Sequence, residues 1–126
     1  MAEDSSGGKW LLLDAAGPFH AIGILSGDRW LAWRTSPEPF LEQCAPRVKE
    51  VLRECGTDLP GLSGVLCAAG PGSTLGLRLA ALFARSLLCL PQLAHWKARQ
   101  YNNLAVAAAS LLGQSPPLPL SVLAPL

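Results

Sequence analysis

The chain has 126 residues, half of them hydrophobic and 15% charged, which suits one folded domain and excludes wholesale disorder. Ten basic and nine acidic residues leave a formal net charge of +1. That balance implies no basic face for direct capture of nucleic acid.

Met1 to Gly8 carries Glu3 and Asp4 and no apolar core, so it reads as a disordered start and not as a signal peptide. No window holds enough consecutive apolar residues for a membrane span, and a soluble, cytoplasmic domain is expected. Cys44, Cys55, Cys67 and Cys89 show no CxxC spacing and sit inside apolar runs. They read as buried thiols in a reducing compartment, with neither a metal site nor a cofactor expected.

Three strands come first. Lys9 to Ala15 is strongly apolar and leads into a turn forced by Gly17-Pro18. Phe19 to Leu25 and Arg29 to Thr35 flank a Ser-Gly-Asp turn and form a hairpin. Asp14, at the end of the first strand, either holds a metal or phosphate, or hydrogen-bonds the turn that follows. Ala15-Ala16 supply no hydroxyl for a phosphate. His20 lies alone in the second strand and reads as a surface or satisfied residue.

Ser36-Pro37-Glu38-Pro39 breaks the chain ahead of an amphipathic helix from Phe40 to Cys55. Its apolar positions, Phe40, Leu41, Cys44, Ala45, Val48, Val51, Leu52 and Cys55, recur with a 3.6-residue period. Pro46 removes one internal hydrogen bond and is expected to kink the helix. Gly56 is a natural stop.

The most informative stretch follows. Gly64 to Ala69 reads as a buried strand, Gly70-Pro71-Gly72-Ser73 as a glycine-rich turn, and Thr74 to Leu88 as a helix. Strand, glycine turn and helix point free N–H groups at an anion, and also make any tight strand-to-helix connection. Ser73 or Thr74 can cap the helix. Asp14, Gly70, Gly72, Ser73, Thr74 and Gly76 are the candidate phosphate-loop residues. The pattern is not a Walker loop, because Leu77-Arg78 stands where Lys-Ser/Thr would follow the last glycine. The helix carries only Arg78 and Arg85 as charges, so more than one of its sides needs cover.

Leu90 to Ala94 is expected to be a short strand. A third helix is expected to open at Trp96 or Lys97 and to run to Leu112, with Gly113 as its stop. Beyond Ser115-Pro116-Pro117, residues 118–126 read as a further strand. No residue from Gln100 to Leu126 is charged, so this tail is expected either to pair with another chain or to lead into more protein. The order βββαβα, followed by a short strand, a helix and a strand, suggests a mixed α/β sheet. No nucleophile–base pair or pair of carboxylates stands out, so a non-catalytic role is expected.

Gly70-Pro71-Gly72-Ser73 with Gly76-Leu77-Arg78 resembles the GPGSFTGLR motif of the TsaB (YeaZ) family, partner subunits in the synthesis of tRNA threonylcarbamoyladenosine. Trp10 to Ala16 sits where that family carries its opening strand, usually ending Asp-Thr-Ser. Leu41 to Leu52 is similar to its first helix, which also contains a proline. The resemblance implies an RNase H-like lobe of the actin, sugar-kinase and Hsp70 superfamily over residues 9–117. Residues 118–126 would lead into a second lobe. It also implies a non-catalytic subunit that pairs with a TsaD-like enzyme through the two helices, with a TsaE-like ATPase as a further partner and a homodimer when alone. Leu41, Ala45, Val48, Leu75, Arg78, Leu79, Leu82 and Phe83 are the residues expected at that interface. The alternatives are a nucleotide-binding or ATP-hydrolysing lobe of the same superfamily, or a diverged dimerisation module. Against the first stand Ala15-Ala16 for Thr-Ser and Thr74-Leu75 for Phe-Thr.

Overall fold

The computed structural model describes residues 8–27 and 29–104, together with the backbone of 123–125. The expected disordered start and residues 105–112 of the expected third helix lie outside the described residues. Strands β1 (Lys9–Asp14), β2 (His20–Ser26) and β3 (Arg29–Ser36) precede helix α1 (Phe40–Cys55). Strand β4 (Gly64–Gly70), helix α2 (Thr74–Leu88) and strands β5 (Lys97–Asn102) and β6 (Leu123–Pro125) complete the order.

The strands form one six-stranded sheet in the order β3-β2-β1-β4-β5-β6. The outer hairpins are antiparallel, whereas β1, β4 and β5 run parallel. This is a mixed α/β sheet, as the element order predicts, and it matches the RNase H-like lobe that the family resemblance implies.

Alternation along the strands divides the side chains between the two faces. Leu11 and Leu13 of β1, Ile22 and Ile24 of β2, and Val65 and Cys67 of β4 are buried in one cluster. Into it α1 inserts Phe40, Cys44, Val48 and Val51, the face that its 3.6-residue period marks. Each large aliphatic side chain so buried contributes about 1.5–3 kcal/mol. Helix α2 presents Gly76, Ala80 and Ala84 to the same cluster, so its axis lies close to the sheet. Leu12, Leu25, Leu66, Ala68 and Tyr101 form a second buried cluster on the opposite side. On that side, at the β3 edge, Trp30 and Trp33 remain exposed and pack edge to face with ring centres 4.6 Å apart.

Helix α1 begins and ends where the sequence places it and runs on through Pro46. Gly56 closes it in the left-handed conformation, with its N–H on the carbonyls of Arg53 and Leu52. Its polar face is tied to β3 by Arg34, which bonds Glu54 and lies 3.5 Å from Glu50, while Arg47 bonds Glu50 at 2.9 Å.

Three expectations need correction. Leu90 to Ala94 is not a strand. Pro91–Leu93 forms a 3-10 turn, because Pro91 has no N–H for a ladder, while Leu93 and Ala94 donate back to the carbonyls of Leu90 and Pro91. Lys97 does not open a helix either. Lys97–Asn102 adds to β4 as a parallel strand, Val65 beside Ala98 and Cys67 beside Gln100, and helical backbone starts only at Asn103. Of the four thiols, Cys44 and Cys67 are buried, but Cys55 is only partly covered and Cys89 is exposed, because Cys89 lies past the last turn of α2 that packs on the sheet.

Candidate functional site

The carboxyl ends of β1 and β4 lie next to each other in the parallel part of the sheet, where open α/β sheets form their crevices. Asp14 ends β1. Its Oδ1 accepts from the N–H of Ala16 at 2.9 Å, and its Oδ2 accepts from the hydroxyl of Tyr101 at 2.7 Å. Tyr101 is buried on β5. Burial first, and the nearby Asp14 carboxylate second, raise its phenol well above the ordinary range, so it stays a donor. Burial likewise pushes the Cys67 thiol up to about 12, with a smaller push from Asp14, and Sγ donates to the carbonyl of Ala80.

From β4 the chain turns through Gly70, whose φ of 108° lies in the region open to glycine, and the Gly70–Pro71 peptide is cis. The Gly70 N–H donates to Oδ1 of Asn103 at 2.9 Å. Ser73 is the N-cap of α2. Its Oγ accepts from the N–H of Gly76 at 3.0 Å, while its own N–H donates to the carbonyl of Ala16 at 2.7 Å. The motif therefore ties the start of α2 to the end of β1. A Cβ on Gly72 would come within 2.6 Å of the Ala16 Cβ, and one on Gly76 would overlap the Ala15 carbonyl.

Asp14, Gly70, Gly72, Ser73, Thr74 and Gly76 thus gather around the ends of β1 and β4. Three donors of the loop, the N–H groups of Gly70, Ser73 and Gly76, are committed to partners within the fold. Among the described residues no group of three or more His, Cys, Asp or Glu is placed to hold a metal. Tyr101 and Asn103 complete the site and were missed in the sequence. Both fall where a helix was expected, and nothing local marks a tyrosine that must reach back to β1. His20 also departs from expectation. Its ring packs edge to face on Phe40, and its buried Nδ1 has no hydrogen-bond partner.

The residues expected at a helical interface divide into two groups. Leu41, Leu75 and Leu82 are 65%, 67% and 56% exposed, and Ala45 and Arg78 are also exposed. Val48 is buried in the core, because the α1 face that carries Cys44 and Val51 is turned to the sheet. Leu79 and Phe83 are half-covered and pack against the same core, with the Phe83 ring 6.4 Å from that of Phe40. No helix among the described residues is long and apolar enough to cross a membrane.

A family model described as TsaD, tRNA N6-adenosine threonylcarbamoyltransferase, matches residues 35–117. Two solved structures from Pseudomonas aeruginosa are similar to the chain. One is described as an uncharacterized protein with similarity to peptidase YEAZ. It is 22% identical, with a TM-score of 0.70, and the match covers 83% of this chain and 48% of that one. The other, YeaZ, is 21% identical, with a TM-score of 0.69, over 83% of this chain and 49% of that one. The likeness establishes the fold, and this chain spans about half the length of either relative. No curated protein matches it in sequence.

Proposed function

The chain belongs to the family described as TsaD, tRNA N6-adenosine threonylcarbamoyltransferase, and we propose that it is a non-catalytic partner lobe of the machinery that makes threonylcarbamoyladenosine in tRNA. One observation carries this reading. Leu41 on α1 and Leu75 and Leu82 on the neighbouring α2 hold large apolar side chains exposed to water. Such a ridge gains by burial against another chain. A TsaD-like enzyme presenting an apolar helix pair is the partner that fits it, and the same ridge supports a self-dimer when that partner is absent.

Light scattering behind gel filtration, with the chain mixed with a TsaD-like protein, tests the reading. The wild type is expected to form a mixed complex. Leu75→Glu with Leu82→Glu is expected to lose it while keeping its circular dichroism, because both side chains are exposed. A complex that survives the double substitution would overturn the assignment of this ridge. Leu79 and Phe83 are poor test sites, since a charge there would disturb the core they pack against.

The second reading, a nucleotide-binding lobe, rests on the loop at the end of β4. It is less favoured, because three loop donors already have partners and Ala15-Ala16 bring no hydroxyl. Calorimetric binding of ATP at micromolar concentration would revive it.

A further inference from the structure

The overall charge balance hides a division along the chain. All nine acidic residues stand at or before Asp58, and every Lys or Arg after it, namely Arg78, Arg85, Lys97 and Arg99, is without an acidic neighbour in sequence. Folding keeps the two populations apart. On β3 and α1, Arg34 is paired with Glu50 and Glu54, and Arg47 with Glu38 and Glu50. The α2–β5 side has no such lattice. Arg78 and Arg85 are exposed, and neither has an ion-pair or hydrogen-bond partner among the described residues.

These two arginines flank an open groove of about 360 Å³ between α2 and the β4–β5 strands. Leu77, Ala81 and Leu82 supply its apolar wall on α2, Cys67 and Ala68 lie on β4, and Gln100 marks its β5 side. Phe83 turns the other way, toward α1, so the groove is a different flank of α2 from the one that meets α1. Seven residues separate Arg78 from Arg85, a rise of about 10 Å, which is two helical turns. One small anion cannot meet both guanidiniums at that spacing. A second helix lying along α2 presents side chains at the same two-turn interval, and its apolar stripe can fill the groove between them.

We propose that the α2–β5 groove is a docking site for an acidic amphipathic helix of a partner protein, whose two carboxylates, one heptad apart, meet Arg78 and Arg85. The groove shares Leu82 with the leucine ridge, so the inference deepens the partner-lobe reading and rests on it. A nucleic acid strand fits the site less well, because among the described residues no aromatic side chain lines the groove for bases to stack on and the walls are largely aliphatic. Fixed cations at the rim of an apolar groove set orientation and choice of partner, and their effect weakens with salt.

The test uses a fluorescein-labelled helical peptide of about 18 residues, long enough to span both arginines. It carries leucine and alanine on one face and two glutamates one heptad apart. Two other probes are a peptide of the same composition with the glutamates on opposite faces, and a single-stranded RNA oligonucleotide. Anisotropy at low salt is expected to show binding of the first peptide. Arg78→Ala with Arg85→Ala is expected to weaken it about fivefold, and the opposed-glutamate peptide to bind the wild type about as weakly. Melting curves of the double variant should match the wild type, since both arginines are exposed and unpaired. Absent binding of the first peptide, equal binding of the two peptides, no effect of the substitutions, or preference for the RNA would each overturn the proposal. Gel filtration of the wild type with a TsaD-like protein reads the partner role itself, so a mixed complex without binding of the first peptide overturns the acidic-helix inference alone.

Discussion

Gly76→Ala is the substitution whose outcome separates helix propensity from tertiary contact. Gly76 lies in the first turn of α2, where alanine is intrinsically better than glycine by at most about 1 kcal/mol. The structure predicts the opposite sign. An alanine Cβ would overlap the Ala15 carbonyl oxygen, lie 3.0 Å from the Ala15 carbonyl carbon and 3.3 Å from its Cβ. Most of these are backbone atoms of a chain that leaves the centre of the sheet, so no side chain can swing aside. The start of α2 must retreat, loosening the 2.7 Å bond from Ser73 N–H to the Ala16 carbonyl and the packing of Ala80. Overpacking of this kind costs about 1–3 kcal/mol, and loss of the tie between Ser73 and Ala16 adds about 1 kcal/mol. After the propensity gain, a net loss of about 2 kcal/mol is expected, or roughly 8 °C in Tm for a domain of this size. Urea unfolding followed by circular dichroism measures it. Gly17→Ala is the control, expected to change stability by less than about 0.5 kcal/mol, because a Cβ there meets nothing within 4 Å. A Gly76→Ala protein as stable as the wild type would refute the argument that this glycine is required by close approach to β1.

Two further predictions concern the ends of β1 and β4. Tyr101→Phe removes the donor to Asp14 Oδ2 and leaves a partly buried carboxylate oxygen without it, so stability should fall by about 1–3 kcal/mol in urea titration. An unchanged midpoint would mean that water replaces the phenol. The Cys67 thiol titrates near 12 in the folded chain against 9.0 unfolded, so above pH 9 only the unfolded chain loses this proton. Its contribution is therefore intact below pH 9 and declines between pH 9 and about 12, by about 1.4 kcal/mol per pH unit. Cys67→Ala should flatten the stability–pH curve across that window, whatever it costs in packing. Equal slopes in the two proteins would show that the thiol is not buried as described.

Local pattern carried much of the architecture. The ends of α1 were legible because Pro39 and Gly56 bracket a clear 3.6-residue period, and both residues act locally. The helix α2 and strands β1 to β4 were legible for the same kind of reason, as apolar runs between glycine and proline turns. Strand β5 was not. Lys97 to Asn102 has neither an apolar alternation nor a β-rich composition, and it is a strand only because β4 offers it a parallel ladder. Once that strand was read as helix, Tyr101 and Asn103 could not be placed beside Asp14 and Gly70.

The glycine motif shows the same limit from the other side. Its spacing in the chain predicts a tight strand-to-helix turn, and that turn is present with Ser73 as the cap. Whether its N–H groups point outward or inward depends on residues far away in sequence. Ala16 and Asn103 take up the donors of Ser73 and Gly70, contacts that exist only when β1, β4 and β5 lie in one sheet. Likewise, periodicity made Val48 and Leu41 equally apolar members of α1, but only packing on the sheet separates the buried one from the exposed one. Side-chain order and turn chemistry act over one or two turns of chain, so the residues alone determine where most elements start and stop. Burial, hydrogen-bond partners and unpaired charge arise from pairings between distant segments, and these only the folded molecule decides.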